Sequence, residues 1–144
     1  MLGADLLSLD TIMAERGPDG AAGLPVAEWE RTSHIAMDRL AAALRAGRSA
    51  VVDDTFSHRV LRDRCRSVAV GARFTMLYID TPIPVIEARR AENRRTPTRP
   101  DLRDDVFAAH RDGFQHSQGD EVFVRVTNEA SLDAFLEEEA RQRG

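Results

Sequence analysis

The sequence predicts an α/β domain on a mostly parallel sheet, and two observations carry that expectation. Four short apolar runs have the length of strands: residues 4–9 (ADLLSL), 49–53 (SAVVD), 74–79 (FTMLYI) and 122–126 (VFVRV). The first three are largely continuous rather than alternating, which suits strands covered on both faces of a parallel sheet. Segments with helical spacing separate the runs, and strands alternating with helices argue for β-α-β units.

Each helical segment has its own signals. Residues 25–45 place Val26, Trp29, Ser33, Met37, Leu40 and Leu44 on one stripe, and Gly47 offers a stop. Residues 57–70 stripe Leu61, Cys65 and Val68 and end at Gly71. Thr81 and Pro82 suit an N-cap and first helical position, opening a helix over residues 82–95. Asp101 reads as the cap of a helix that stripes Leu102, Val106, His110 and Phe114. A last helix over residues 131–141 would bury Leu132, Phe135 and Leu136. Residues 17–24 (GPDGAAGL) and 96–100 (TPTRP) read as loops.

Composition narrows the function classes. A chain of 144 residues, 42% hydrophobic and 31% charged, suits a single globular domain spanning residues 1–144. No apolar run approaches the roughly 20 residues that cross a bilayer, and MLGADLLSLD lacks the basic start of a signal peptide. A cytoplasmic protein with no membrane partner is expected. The single Cys65 excludes an internal disulfide, argues against a thiolate metal site, and falls on an apolar helix face, where it reads as core. A net charge of −4 argues against broad nucleic-acid binding, leaving nucleic acid only as a possible substrate. All 20 basic residues are Arg. This polypeptide therefore cannot perform chemistry that needs a lysine ammonium.

Two constellations point to chemistry. Asp10 follows one apolar run, and Asp53 and Asp54 end and follow another. Ligands of open parallel sheets bind beyond the carboxyl ends of strands. A carboxylate there can hold Mg²⁺ through water or take a proton from a substrate hydroxyl; it can also simply cap the next helix. The second is an Arg cluster: Arg89, Arg90, Arg94, Arg95, Arg99 and Arg103. Arg90 and Arg94, four apart, share a helix face and could converge on one anion. A solvated helix face is the plainer reading. The TPTRP segment favours a lid over phosphates, a helical insertion spanning residues 89–115. The run at residues 137–139 reads as solvated surface.

Taken in order, LLSLDTI, AVVDDTFSHRVLRDRC and LYIDTPIPVIEARRAENRR resemble the P-loop kinases related to polynucleotide kinase, chloramphenicol phosphotransferase and zeta toxins. The resemblance implies a P-loop NTPase-like three-layer α/β domain. It implies that Asp10 is the general base toward the acceptor hydroxyl, that Asp54 lies near Mg²⁺ and the nucleotide, and that Arg90 and Arg94 are lid arginines. It further implies ATP and Mg²⁺ as cofactors, with an NTP and a hydroxyl-bearing small molecule or nucleic acid as substrates. Phe56 departs from the family's usual Asn or Thr.

The larger departure is the phosphate loop. The family opens with a strand and G-x-x-x-x-G-K-[ST], whose amides and Lys hold the β- and γ-phosphates. Neither motif nor Lys occurs in the sequence. By the resemblance, the missing strand is the central one, flanked by the runs at 49–53 and 74–79. Three accounts follow: a reading frame started at an internal Met of a complete kinase, a degenerate non-catalytic binding or regulatory module, or another α/β domain. In the first two, open strand edges predict instability or self-association, and the chain as given is expected to be inactive and to bind ATP poorly. Residues 17–45 would build the acceptor pocket, with Trp29 and His34 as candidate contacts, although Trp29 reads more readily as core. His58 reads as an exposed first-turn residue, His110 as a core histidine and His116 as loop; the four show no metal-ligand spacing.

Overall fold

The computed structural model describes residues 3–17, 26–98 and 101–143. Most of the expected loop at 17–24, the expected helix start at Pro25, and Arg99 and Pro100 lie outside these residues. The elements run β1 (Asp5–Ser8), α1 (Leu9–Arg16), α2 (Val26–Arg45), β2 (Ala50–Asp53), α3 (Arg59–Val68), β3 (Leu77–Ile79), α4 (Ile83–Arg95), α5 (Asp104–Gly113), β4 (Val124–Val126) and α6 (Glu129–Arg143). They form two compact units. One comprises Met1–Phe74 with Asp104–Ser117, the other Thr75–Arg103 with Gln118–Gly144. Among the described residues, no helix is long and apolar enough to cross a membrane.

In the first unit β1 and β2 pair in parallel, from Asp5↔Ala50 to Ser8↔Asp53. The connection runs through α1 and α2, and α2 packs against both strands. Its buried positions Thr32, Ala36, Met37, Leu40 and Ala43 share one face and meet Leu7, Leu9, Ile12 and Cys65. The last turn of α1 is tied to the first two turns of α2 by polar bonds. Arg16 Nη2 donates to Glu28 Oε2 at 2.6 Å, and Arg16 Nη1 donates to Thr32 Oγ1 at 2.6 Å. Ile12 is 2% exposed at the centre of this core. Ile12→Ala is expected to lower unfolding free energy by about 2–5 kcal/mol in denaturant titrations. Leu6→Ser, at a 69% exposed position, is expected to change it by no more than about 0.5 kcal/mol.

The second unit repeats a parallel pair, from Leu77↔Val124 to Ile79↔Val126, with α6 against β4. The Tyr78 and Phe123 rings lie 5.4 Å apart. Just past the strand end, Arg125 Nε donates to Asp80 Oδ2 at 2.6 Å. Asn128 caps α6 reciprocally: its Oδ1 accepts from Ser131 N at 2.9 Å, and its own N–H donates to Ser131 Oγ at 3.1 Å. Each strand has a single described partner, β1 with β2 and β3 with β4.

Several expectations are corrected. The strands are not buried on both faces: Leu6 and Val51, directly paired, are 69% and 43% exposed. The helix that covers this pair, α2, meets the Leu7–Val52 side, where both residues join the core cluster. The strands at 74–79 and 122–126 shrink to three residues each, because Phe74 packs into the first unit's core and Val122 is exposed. An unexpected helix, α1, begins at Leu9. Its buried Leu9, Ile12 and Met13 have i, i+3, i+4 spacing, masked when Leu9 is read as a strand end. Pro82, not Thr81, is the N-cap of α4, since the helix starts one residue later. Asp101 caps nothing; α5 starts at Asp104, and Asp101 pairs with Arg94. His110 is exposed rather than core, because no residue of α5 is fully buried. Trp29 is half-buried, and His34, His58 and His116 are exposed.

Candidate active site

The parallel register sets the site. Because Ser8 pairs with Asp53, both strands of the first unit end at one level, and the chain leaves both there. Asp10 is the second residue of α1, exposed, in the first turn of a helix whose N-cap Ser8 makes no side-chain cap bond. It therefore sits where a helix dipole favours a carboxylate. Asp53 closes β2 and is exposed, while Asp54 follows it half-buried. Asp54 Oδ1 accepts the Thr55 N–H at 2.7 Å and the Thr55 hydroxyl at 3.4 Å. Burial pushes the Asp54 carboxyl above the usual carboxylate range; bonds from Thr55 and the Phe56 N–H pull against that, and the Asp53 charge adds to it.

This shift makes a prediction. The folded chain holds the Asp54 proton more tightly than an unfolded chain, so stability falls as pH rises through the raised value. Asn at this position is neutral throughout and keeps the Oδ1 acceptor. Asp54→Asn is expected to melt above wild type at neutral pH, with the gain fading as pH falls from the raised value to the ordinary one. Paired thermal melts across that range check it; a variant that melts lower at neutral pH contradicts it.

Phe56 explains its departure from the family pattern. It has φ 43°, the one non-glycine positive φ among the described residues, and its ring packs against the core cluster. A backbone position that Asn adopts readily is here taken by an aromatic anchor. Cys65 lies in the same core as expected, and burial pushes its thiol up, away from reactive thiolate. Sequence reasoning missed Arg62, which is 5% exposed. The signal was available: Arg62, Cys65 and Ala69 fall at i, i+3 and i+7, and these, not Leu61 and Val68, are the buried positions.

Arg90 and Arg94 belong to the second unit. Their printed bonds go to two adjacent residues rather than to one anion. Arg90 Nη2 donates to the Leu102 carbonyl at 2.7 Å, and Arg94 Nε donates to Asp101 Oδ2 at 2.8 Å. Asn93 Oδ1 accepts the Thr98 N–H at 3.1 Å, so the loop after α4 folds back along it. Arg95 pairs with Glu92, an exposed pair within the helix.

Residues 1–117 match the family model described as an AAA domain, AAA_33. The chain belongs to the AAA_33 family. The family is P-loop kinase-like, and members generally use a nucleotide and Mg²⁺. Among solved structures, the AAA_33 chain is similar to the unliganded crystal structure of a sugar kinase from Janibacter sp. HTCC2649. The TM-score is 0.65 at 14% identity, over 94% of this chain and 79% of that one, which is a likeness of fold. No curated protein matches the chain. The α/β architecture with short parallel strands is therefore that of a P-loop kinase.

The donor set of the AAA_33 chain suits Mg²⁺ in the manner of its family. Among the described residues no group of three His, Cys, Asp or Glu side chains could hold a metal alone. One half-buried carboxylate with an exposed carboxylate beside it fits an ion that keeps most of its waters and takes phosphate oxygens as ligands. The phosphate-binding side is different. No G-x-x-x-x-G-K-[ST] and no Lys occur in the 144 residues.

Proposed function

We propose that this chain provides the acceptor and lid parts of a P-loop kinase that transfers the γ-phosphoryl of ATP to a hydroxyl group. The observation that carries the reading is the register of β1 on β2, which delivers Asp10 and Asp54 to the same carboxyl end of a parallel pair. Asp10, exposed and free of a capping role, orients the acceptor hydroxyl and takes its proton. Asp54 would hold Mg²⁺ through its water shell, and the ion would supply charge neutralisation at the phosphates. Arg90 and Arg94 exchange Leu102 and Asp101 for the transferring phosphoryl group. For Arg94, giving up the exposed pair with Asp101 costs only about 0.2–1 kcal/mol. The similar fold of a sugar kinase makes small polyols and sugars the first acceptor class to try.

The phosphate cradle is the part that these 144 residues do not supply. Calorimetry of residues 1–144 with Mg-ATP is expected to show no low-micromolar binding, since the loop amides and the Lys make most phosphate contacts in such folds. Tight binding there would mean that another element holds the phosphates. The open edges of the two-stranded pairs also favour self-association, which light scattering on the same sample reads.

A further inference from the structure

The loop that carries Asp54 is held by a latch from a distant part of the same unit. Arg62, 5% exposed, donates from Nη1 to the Phe56 carbonyl at 2.9 Å and to the Gln115 carbonyl at 2.9 Å. Gln115 answers with two bonds of its own. Its N–H donates to the Ser57 carbonyl at 2.8 Å, and its Oε1 accepts the Arg59 N–H at 2.8 Å. The last of these replaces the N-cap that His58 does not provide for α3. Three bonds thus tie residue 115, just beyond α5, to residues 57, 59 and 62, and a fourth holds Arg62 on the Phe56 carbonyl.

Packing does not account for this arrangement. A buried guanidinium is costly to desolvate, and an apolar side chain would fill the same space without that cost. What the guanidinium adds is direction: it draws together the carbonyls of Phe56 and Gln115, which are remote from each other along the chain. Gln115 is exposed, so its side chain contributes little by burial. These bonds hold the backbone at residues 56, 57 and 59, and Phe56, two residues after Asp54, has a positive φ that a bulky residue rarely adopts. Such a conformation persists only where its surroundings enforce it.

We infer that Arg62 and Gln115 are positioning residues that hold the loop after β2 so that Asp54 is correctly aimed, an inference that rests on the role given to Asp54 above. They touch no substrate. They also link that loop to the return of the segment containing α5, so that displacing residues 114–117 would displace Asp54.

Hydrogen exchange on residues 1–144 tests the latch without any activity. Gln115→Leu removes the Arg59 cap and is expected to speed exchange of the amides at residues 55–59 about fivefold, the worth of one hydrogen bond. Arg62→Met is expected to exceed about tenfold there, while amides of β1 and α2 keep their wild-type rates. Gln115→Glu retains the acceptor and should restore slow exchange. Unchanged exchange at residues 55–59 in Gln115→Leu, or an equal rise throughout the unit, overturns the inference, whether or not Arg62→Met folds. In protein that shows phosphoryl transfer, Gln115→Leu should lower kcat with little change in KM for nucleotide, and Gln115→Glu should recover it. If Asp54→Asn abolishes transfer while Gln115→Leu, with its loop loosened, keeps full kcat, the positioning role fails and the proposed function stands. If Asp54→Asn transfers normally, the role of Asp54 fails, and the positioning role falls with it.

Discussion

Asp10→Asn is expected to lower turnover by roughly 10²- to 10⁴-fold, the contribution of a positioned general base. Asn preserves size and hydrogen bonding but cannot take the hydroxyl proton. Because Asp10 is exposed, with no side-chain bond holding it as a cap, the substitution should leave folding stability within about 0.5 kcal/mol of wild type. KM for the nucleotide should change little, since the role proposed for the carboxylate is toward the acceptor. Steady-state kinetics beside a thermal melt separate these effects. A variant that loses activity only in proportion to lost stability would return Asp10 to a helix-terminus residue.

Arg90→Ala and Arg94→Ala are each expected to cost on the order of 10³-fold in kcat, with much smaller changes in nucleotide binding. The Arg94–Asp101 pair does not compete with that figure. A 10³-fold effect corresponds to about 4 kcal/mol, several times the worth of an exposed pair such as Arg94–Asp101. Lys at either position should rescue only in part, because it restores charge without the planar fork. Arg141, paired with Glu138 on α6, is the control, and Arg141→Ala should change turnover little. Near-wild-type turnover in both lid variants would make the arginine cluster a solvated face of α4.

What the sequence made legible follows the range of the interactions involved. Long helices with a clear apolar stripe, such as α2, were readable because burial repeats every turn; α2 ends at Arg45 as expected. Strand identity was readable from apolar runs, and the parallel pairing of β1 with β2 from their alternation with helices. Strand coverage was not. Continuous apolar runs imply two covered faces, yet Leu6 and Val51 lie exposed opposite the side that α2 packs on. Helix starts were misread where the deciding partner is remote. The N–H of Arg59 is capped by Gln115, 56 residues away, a bond without local signature. Asp101 looked like a cap because local spacing allowed it, but an arginine seven residues earlier claims its carboxylate. The placement of Asp10 and Asp54 just beyond the ends of β1 and β2 was legible. Arg62 was passed over because its spacing with Cys65 and Ala69 runs through a stretch of several arginines, of which Arg62 alone is buried.

The most direct test of the central claim is transfer of labelled γ-phosphate from Mg-ATP to a panel of hydroxyl acceptors, sugars and polyols first. The protein should be expressed from its gene with any in-frame upstream sequence included, as wild type and as Asp10→Asn. The account predicts transfer to one acceptor class by the wild type, reduced at least about 10²-fold in the variant. Equal transfer by both proteins, or no transfer to any acceptor by a form that carries a phosphate loop, would contradict it.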